Sequence, residues 1–335
     1  MRHIKLTLSL YTVMFTVSAV YGGEIDYKPE IHGTIRAKYE YEPPIGKGRF
    51  EVRNARVGIE GKVLKELGYK AEIDLCDEGE IKMLDAYVRY TPGTHWRLQL
   101  GQMRAPFTID AHRAPHTQFF ANRSFIAKQA GNLRDVGLTG SYTWSWLTVD
   151  GGIFNGSGLK NQKDYWTKSY IYSGKITAKF AGKWTLCGSA QRIKPAERSI
   201  FLWDIGGFYD NSIWHVEGEY IHKSYSRHAY KAVSAFDIFG VRRFKINKSR
   251  LNTISVLMRY DYMDDHSNGK PDENGQLVTD DPQRHRLTAG TTLSFGVRKL
   301  QADLRLNYEQ YFYRSGVTPD VSEQNKIVAE VVVHF

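Results

Sequence analysis

Five cations crowd one stretch of this sequence. Between Gln102 and Arg134 lie Arg104, Arg113, Arg123, Lys128 and Arg134, together with His112 and His116, against a single acid, Asp110. Confined arginine and lysine attract anions, and a guanidinium can hold a phosphate or carboxylate through two parallel hydrogen bonds. The same stretch carries Phe107, Ile109, Phe119, Phe120, Phe125 and Ile126. A connection this long is either functional or disordered, and a solvated loop gains nothing from so many hydrophobes. The combination predicts a segment that buries its apolar side chains against a wall and turns its basic groups to a narrow aqueous space. An external loop with a basic tint is the plainer alternative.

The flanking sequence supplies the wall. From residue 30 onward the dominant period is two, as in strands with unlike faces. Leu300, Ala302, Leu304, Leu306 and Tyr308 alternate with Gln301, Asp303, Arg305, Asn307 and Glu309. On a strand these sets point to opposite sides, one suited to lipid and one to water. Similar alternation predicts about 16 strands, the weakest of them at 229–239, with an irregular stretch at 240–250. The predicted fold is therefore all-β: a transmembrane antiparallel β-barrel whose third long connection folds inward. A soluble sandwich could also alternate, but it would not place Tyr and Trp at so many strand ends. Tyr39, Tyr41, Tyr90, Trp96, Tyr142, Trp144, Trp146, Trp184, Trp214, Tyr260 and Tyr262 read as two interfacial girdles. Short connections such as 91–94, 181–183 and 210–212 fall on one parity. Long ones such as 102–134, 156–169, 264–283 and 312–323 fall on the other.

On this register Arg36, Arg56, Arg89, Arg97, Lys175, Lys179 and Arg305 line the lumen wall. Glu40, Glu60, Glu72, Asp74, Asp85 and Asp303 share that face, so the wall is mixed in sign. A net pull on anions must then come mainly from the constriction, where Arg104, Arg113, Arg123, Lys128 and Arg134 are the candidate anion-binding residues.

The compartment is read from the first residues. A basic start with Arg2 and Lys5, an uncharged apolar run from Leu6 to Val20 and small residues at Ala19, Gly22 and Gly23 form a secretory signal. The expected division is a signal peptide at 1–22 and a barrel domain at 23–335. Without Arg2 and Lys5 the formal charge falls from +10 to +8. In an exported chain this excess sets a field for anions or solvates a surface, and nucleic-acid binding is not expected. Cys76 and Cys187 are expected to be unpaired small residues facing the lumen. Mean hydropathy of −0.46 accords with a barrel, because half of each strand faces water.

At the carboxyl end Ile327, Ala329, Val331, Val333 and Phe335 form one apolar row. A terminal Phe closing such a strand resembles the signal read by the barrel assembly machinery, which makes Phe335 the expected assembly residue and that machinery an expected partner. The run Leu98-Gln-Leu-Gly-Gln-Met-Arg-Ala-Pro-Phe107 resembles the strand and loop start of the phosphate-selective porin O/P family. Asn122-Arg-Ser124 and Leu133-Arg-Asp-Val-Gly137 resemble later landmarks of that family's inward-folded loop, and Glu217-Gly-Glu-Tyr220 and Met258-Arg-Tyr-Asp-Tyr262 add weaker matches. The resemblance implies a 16-stranded, usually trimeric porin in the bacterial outer membrane. Its expected partners are small anions such as phosphate, outer-membrane lipid and two further copies of itself. Arg104 and Arg134 match motif positions, whereas Arg113, Arg123 and Lys128 rest on charge alone.

An outer-membrane barrel enzyme, or an adhesin or anchor with no transport role, is the alternative reading. Barrel hydrolases need a nucleophile beside histidine at one rim, and no His spacing here is tied to one. Zinc spacing, a phosphate-binding glycine loop and a nucleotide fingerprint are all absent, so no cofactor or metal is expected. Asp272-Glu-Asn-Gly lacks a full calcium-loop spacing.

Overall fold

The period-two segments form strands whose apolar rows point outward and whose polar rows point inward. The computed structural model describes residues 27–335 apart from 78, 132, 160–161, 194–198, 229, 249, 268–272, 275–277 and 298–299. The expected signal peptide at 1–22 lies outside the described residues.

The strands are β1 (Glu30–Glu42), β2 (Lys47–Lys62), β3 (Leu67–Asp77), β4 (Glu80–Tyr90), β5 (Trp96–Arg104), β6 (Arg134–Trp144), β7 (Leu147–Phe154) and β8 (Ile171–Phe180). They continue as β9 (Trp184–Ile193), β10 (Ile200–Asp210), β11 (Trp214–Tyr225), β12 (Val233–Lys248), β13 (Leu251–Met263), β14 (Arg284–Val297), β15 (Leu300–Tyr313) and β16 (Lys326–His334). Each pairs antiparallel with its sequence neighbours, and β1 pairs with β16, closing a 16-strand barrel. Closure leaves no strand edge unpaired, the condition for spanning lipid with sheet. No helix among the described residues is long and apolar enough to cross a membrane.

The sequence missed three local features, each with a physical reason. β12 begins later than expected and runs through the stretch that looked irregular, because Arg242 faces outward and interrupts the apolar row. A bulge in β2 opposite Arg36 and Ala37 shifts the face of Val52 relative to Asn54. Another, where β4 meets Glu72 and Ile73, buries Leu84 at 3% exposure, although simple alternation put it outside. Cys76 and Cys187 are free, as expected.

The buried apolar centre lies inside the barrel and is built by the connection between β5 and β6. Phe107, Phe125 and Ile126 from that loop pack with Leu202, Ile221, Ala235 and Met263 on the inner faces of β10 to β13. Phe120 packs with Phe239, Val241 and Leu257 in a second cluster. The loop contains one short helix, α1 (Phe125–Ala130). It ends where Gly131 adopts φ +69° and donates its N–H to Ala127 O at 3.0 Å. That left-handed position favours glycine.

Candidate functional site

The inward loop has two unlike faces. One is fastened to the wall formed by β8 to β16 and β1, largely through its own backbone. Ile109 and Asp110 donate their N–H groups to the Glu219 carboxylate at 2.5 and 2.9 Å. Thr108 O accepts from Lys175 at 2.5 Å, and Ala121 O accepts from Arg36 at 2.7 Å. Ala121 N donates to Asn307 at 2.8 Å, and Arg123 O accepts from Arg286 at 2.7 Å. Asn122 donates to Glu40 and Glu309 and accepts from Lys38. A buried backbone without a helix or sheet ladder must find such partners, and wall side chains supply them.

The other face looks toward β2 to β6 across open space. On the side of the long connections is a cavity of about 660 Å³, bounded by Arg53, Arg56, Arg104, Arg123 and Arg134, by Asp77, Glu80 and Lys82 near its rim, and by loop residues up to Leu133. Toward the short turns is a second, of about 260 Å³, bounded by His32, Arg56, Lys70, Arg104, His112 and His116 among others. Arg56 and Arg104 border both cavities, so the two meet at this pair. A third space of about 700 Å³ opens at the short-turn mouth beside Glu60, Tyr69, Arg89 and Thr91. Together they follow one side of the barrel from end to end.

The charges along this side differ in how far they are neutralised. Arg56 is 2.8 Å from Asp74 and 3.7 Å from Glu72, and its Nη1 has no hydrogen-bond partner. Arg134 pairs with Asp85 at 2.7 Å and Glu72 at 3.5 Å. Arg104 donates to His112 O at 2.5 Å and makes no ion pair among the described residues. Arg123 donates to backbone oxygens of Asp110 and Arg113, again with no ion pair among the described residues. Burial lowers Arg123 to about 10, which leaves it charged at neutral pH.

The loop histidines add no charge there. His112 lies inside the barrel beside the second cavity, and that confinement, followed by Lys175, Arg104 and Arg134, holds it below its ordinary value. His116 is held at about 4 by burial and by His334, whose ring stacks on it at 4.8 Å. The loop's one acid is pulled the other way: burial opposes ionisation of Asp110, but Arg123 and Arg113 outweigh it and hold the carboxyl below its ordinary range.

The sequence-predicted residues therefore separate. Arg104, Arg123 and Arg134 come together around the cavity on the long-connection side. Arg113 does not join them: it reaches behind the loop to Glu217 at 2.5 Å and lies 5.1 Å over the Phe119 ring. Lys128 also departs, because α1 carries it to the long-connection rim, where it pairs with Asp281 at 2.7 Å and Glu323 at 2.8 Å. The expected wall cations divide in the same way. Arg56 lies on the open side, and Arg89 lines the mouth. Arg36 and Arg305 are instead buried on Glu330, at 2.6 and 3.0 Å, with Arg305 also donating to His116 O. Arg97 is 3.5 Å from Asp150 near the short turns, where Lys179 is also exposed, and Lys175 is spent on the loop backbone. Sequence reasoning overlooked Arg53, which borders the cavity on the long-connection side, because the β2 bulge moves it off the alternating pattern.

Residues 31–182 match the family described as phosphate-selective porin O and P, which bears out the resemblance drawn from Leu98–Phe107, Asn122–Ser124 and Leu133–Gly137; the weaker matches at 217–220 and 258–262 lie outside those residues. Among solved structures, the barrel is similar to the anion-selective porin from Comamonas acidovorans, with TM-score 0.65 and 10% identity over 92% of this chain and 99% of that one. It is similar to Pseudomonas putida OprB, with TM-score 0.64 and 10% identity over 92% and 94%. A trimer form of OmpT, an outer membrane protein of Vibrio cholerae, gives TM-score 0.61 and 10% identity over 92% and 98%. No curated protein sequence matches. The chain has a porin fold.

Proposed function

We propose that this chain forms a water-filled diffusion channel in the bacterial outer membrane and that the channel favours small anions, with phosphate among the candidates. The observation that carries the reading is the meeting of two cavities at Arg56 and Arg104, with Arg123 beside them and no ion pair on Arg104 or Arg123 among the described residues. Charges held in a narrow lumen act through a lower effective dielectric than charges on an open surface, so a few unneutralised guanidinium groups dominate the local field. The paired cations, Arg56 and Arg134, add hydrogen-bond donors more than net charge. A small anion approaches from the long-connection side past Arg123, exchanges part of its water for donors of Arg104 and Arg56, and leaves toward the short turns. Because Arg56 already shares Asp74 and Glu72, its hold on the anion stays weak enough for release.

The same reading makes 1–22 a cleaved signal peptide, Phe335 the residue read during barrel assembly, and the working form a homotrimer without enzymatic activity or a cofactor. Family resemblance and the trimer form of the similar Vibrio cholerae protein support the trimer. Planar-bilayer recording in unequal KCl tests the channel and its sign together. Stepwise conductance with an anion-directed reversal potential is expected. A silent bilayer would favour an anchor or enzyme, and a cation-directed potential would remove the anion assignment.

A further inference from the structure

The outer face of the barrel is apolar along its strands, yet two arginines stand in its outward rows, Arg192 near one end and Arg242 near the other. Arg242 is the more elaborately seated. Its guanidinium carbon lies 5.1 Å from the Trp214 ring centroid and 4.9 Å from that of Phe244. Trp214 is its cross-strand partner and the first residue of β11, beside the short turn at 211–213. No carboxylate among the described residues pairs with Arg242. Two residues along the same outward row lies Gly240, flanked in register by Val216 on β11 and Met258 on β13. A Cβ at Gly240 would meet nothing within 4 Å. Val216, Met258 and Ile238 are exposed around this gap, whose walls stand about 9.6 Å apart by strand spacing.

We propose that Arg242, Trp214, Phe244 and the notch over Gly240 form a binding site for one anionic glycerophospholipid of the leaflet at the short-turn side. The phosphate sits on Arg242, and an acyl chain runs up the notch between Val216 and Met258. Aromatic faces hold a guanidinium at interfacial depth, where its donors turn to the layer of lipid phosphates. A free anion from water satisfies the charge but leaves the notch unused, and the continuity of notch and cation selects a lipid. The proposal rests on the barrel spanning a membrane, not on what its lumen conducts.

The test uses the folded full-length protein in detergent with phosphatidylglycerol, read by native mass spectrometry. An unheated gel confirms that each variant is folded, and bilayer conductance reports the channel separately. Wild type is expected to retain one phospholipid, and Arg242→Gln to lose retention about fivefold, the scale of one basic residue at an anionic lipid surface. Gly240→Val, which fills the notch without altering charge, should lose it as well. Arg192→Gln should retain lipid like wild type, and millimolar inorganic phosphate should not displace it. The site is overturned if wild type retains no lipid, if Arg242→Gln or Gly240→Val binds as wild type does, if Arg192→Gln loses as much, or if inorganic phosphate strips the lipid. Conductance that survives such a result leaves the channel reading standing.

Discussion

The two faces of the inward loop carry similar residues and do opposite work. On the fastened face, Arg113 is consumed by Glu217, while wall cations Arg36 and Arg286 are consumed by Glu330, Asp261 and loop carbonyls. On the open face, Arg104 and Arg123 spend their donors on backbone oxygens and keep their net charge. The comparison teaches that a count of basic residues overstates a pore's field. A cation bound to a carboxylate fixes geometry, and one bound to a carbonyl also leaves a charge in the lumen.

The largest expected effect lies on the fastened face. Arg36→Ala leaves the buried Glu330 carboxylate with Arg305 as its one cationic partner, removes both Arg36 hydrogen bonds to it and releases Ala121 O. Each hydrogen bond to a charged group is worth about 1.5–3 kcal/mol, so losing several at once should lower the urea midpoint for unfolding sharply. An unchanged midpoint would mean the loop is not held there. Asn122→Ala should act in the same direction but more weakly. It leaves Glu40, Glu309 and Lys38 one hydrogen bond short each, worth about 1–3 kcal/mol in all by the same assay.

A pH series sharpens the contrast. His116 in the folded chain sits at about 4, below the ordinary 6.5. Below pH 6.5 the unfolded chain takes up a proton that the folded chain refuses, so stability present above pH 6.5 is lost as pH falls toward 4. His116→Asn should therefore lose less stability than wild type between pH 7 and 4.5. Parallel decline of the two proteins would show that this ring is not desolvated. The smallest effect belongs to Lys128→Gln, which removes a partly exposed pair at the rim and should cost about 0.2–1 kcal/mol.

Much of the barrel is legible in the sequence because a strand with lipid on one side and water on the other must alternate, as Leu300–Tyr308 does. The closing strand and the parity of short and long connections follow from the same constraint. What alternation cannot report is a bulge, which shifts one strand against its partner and moves Arg53, Val52 and Leu84 off their expected faces. The loop's inward fold is foreshadowed by its phenylalanines, which bury as expected. The fate of individual cations is not foreshadowed, because Glu217 lies 104 residues from Arg113 and Glu323 lies 195 from Lys128. Only the register of distant strands brings those acids within reach.

The central claim is that Arg104 and Arg123 set the selectivity while Arg113 and Lys128 do not. Two double variants remove the same formal charge: Arg104→Gln with Arg123→Gln, and Arg113→Gln with Lys128→Gln. Reversal potentials of both, measured against wild type in a low-salt KCl gradient where screening is weakest, compare the two faces directly. The account predicts a marked loss of anion preference in the first pair and a potential close to wild type in the second. Equal shifts in both pairs, or a larger shift in the second, would contradict it.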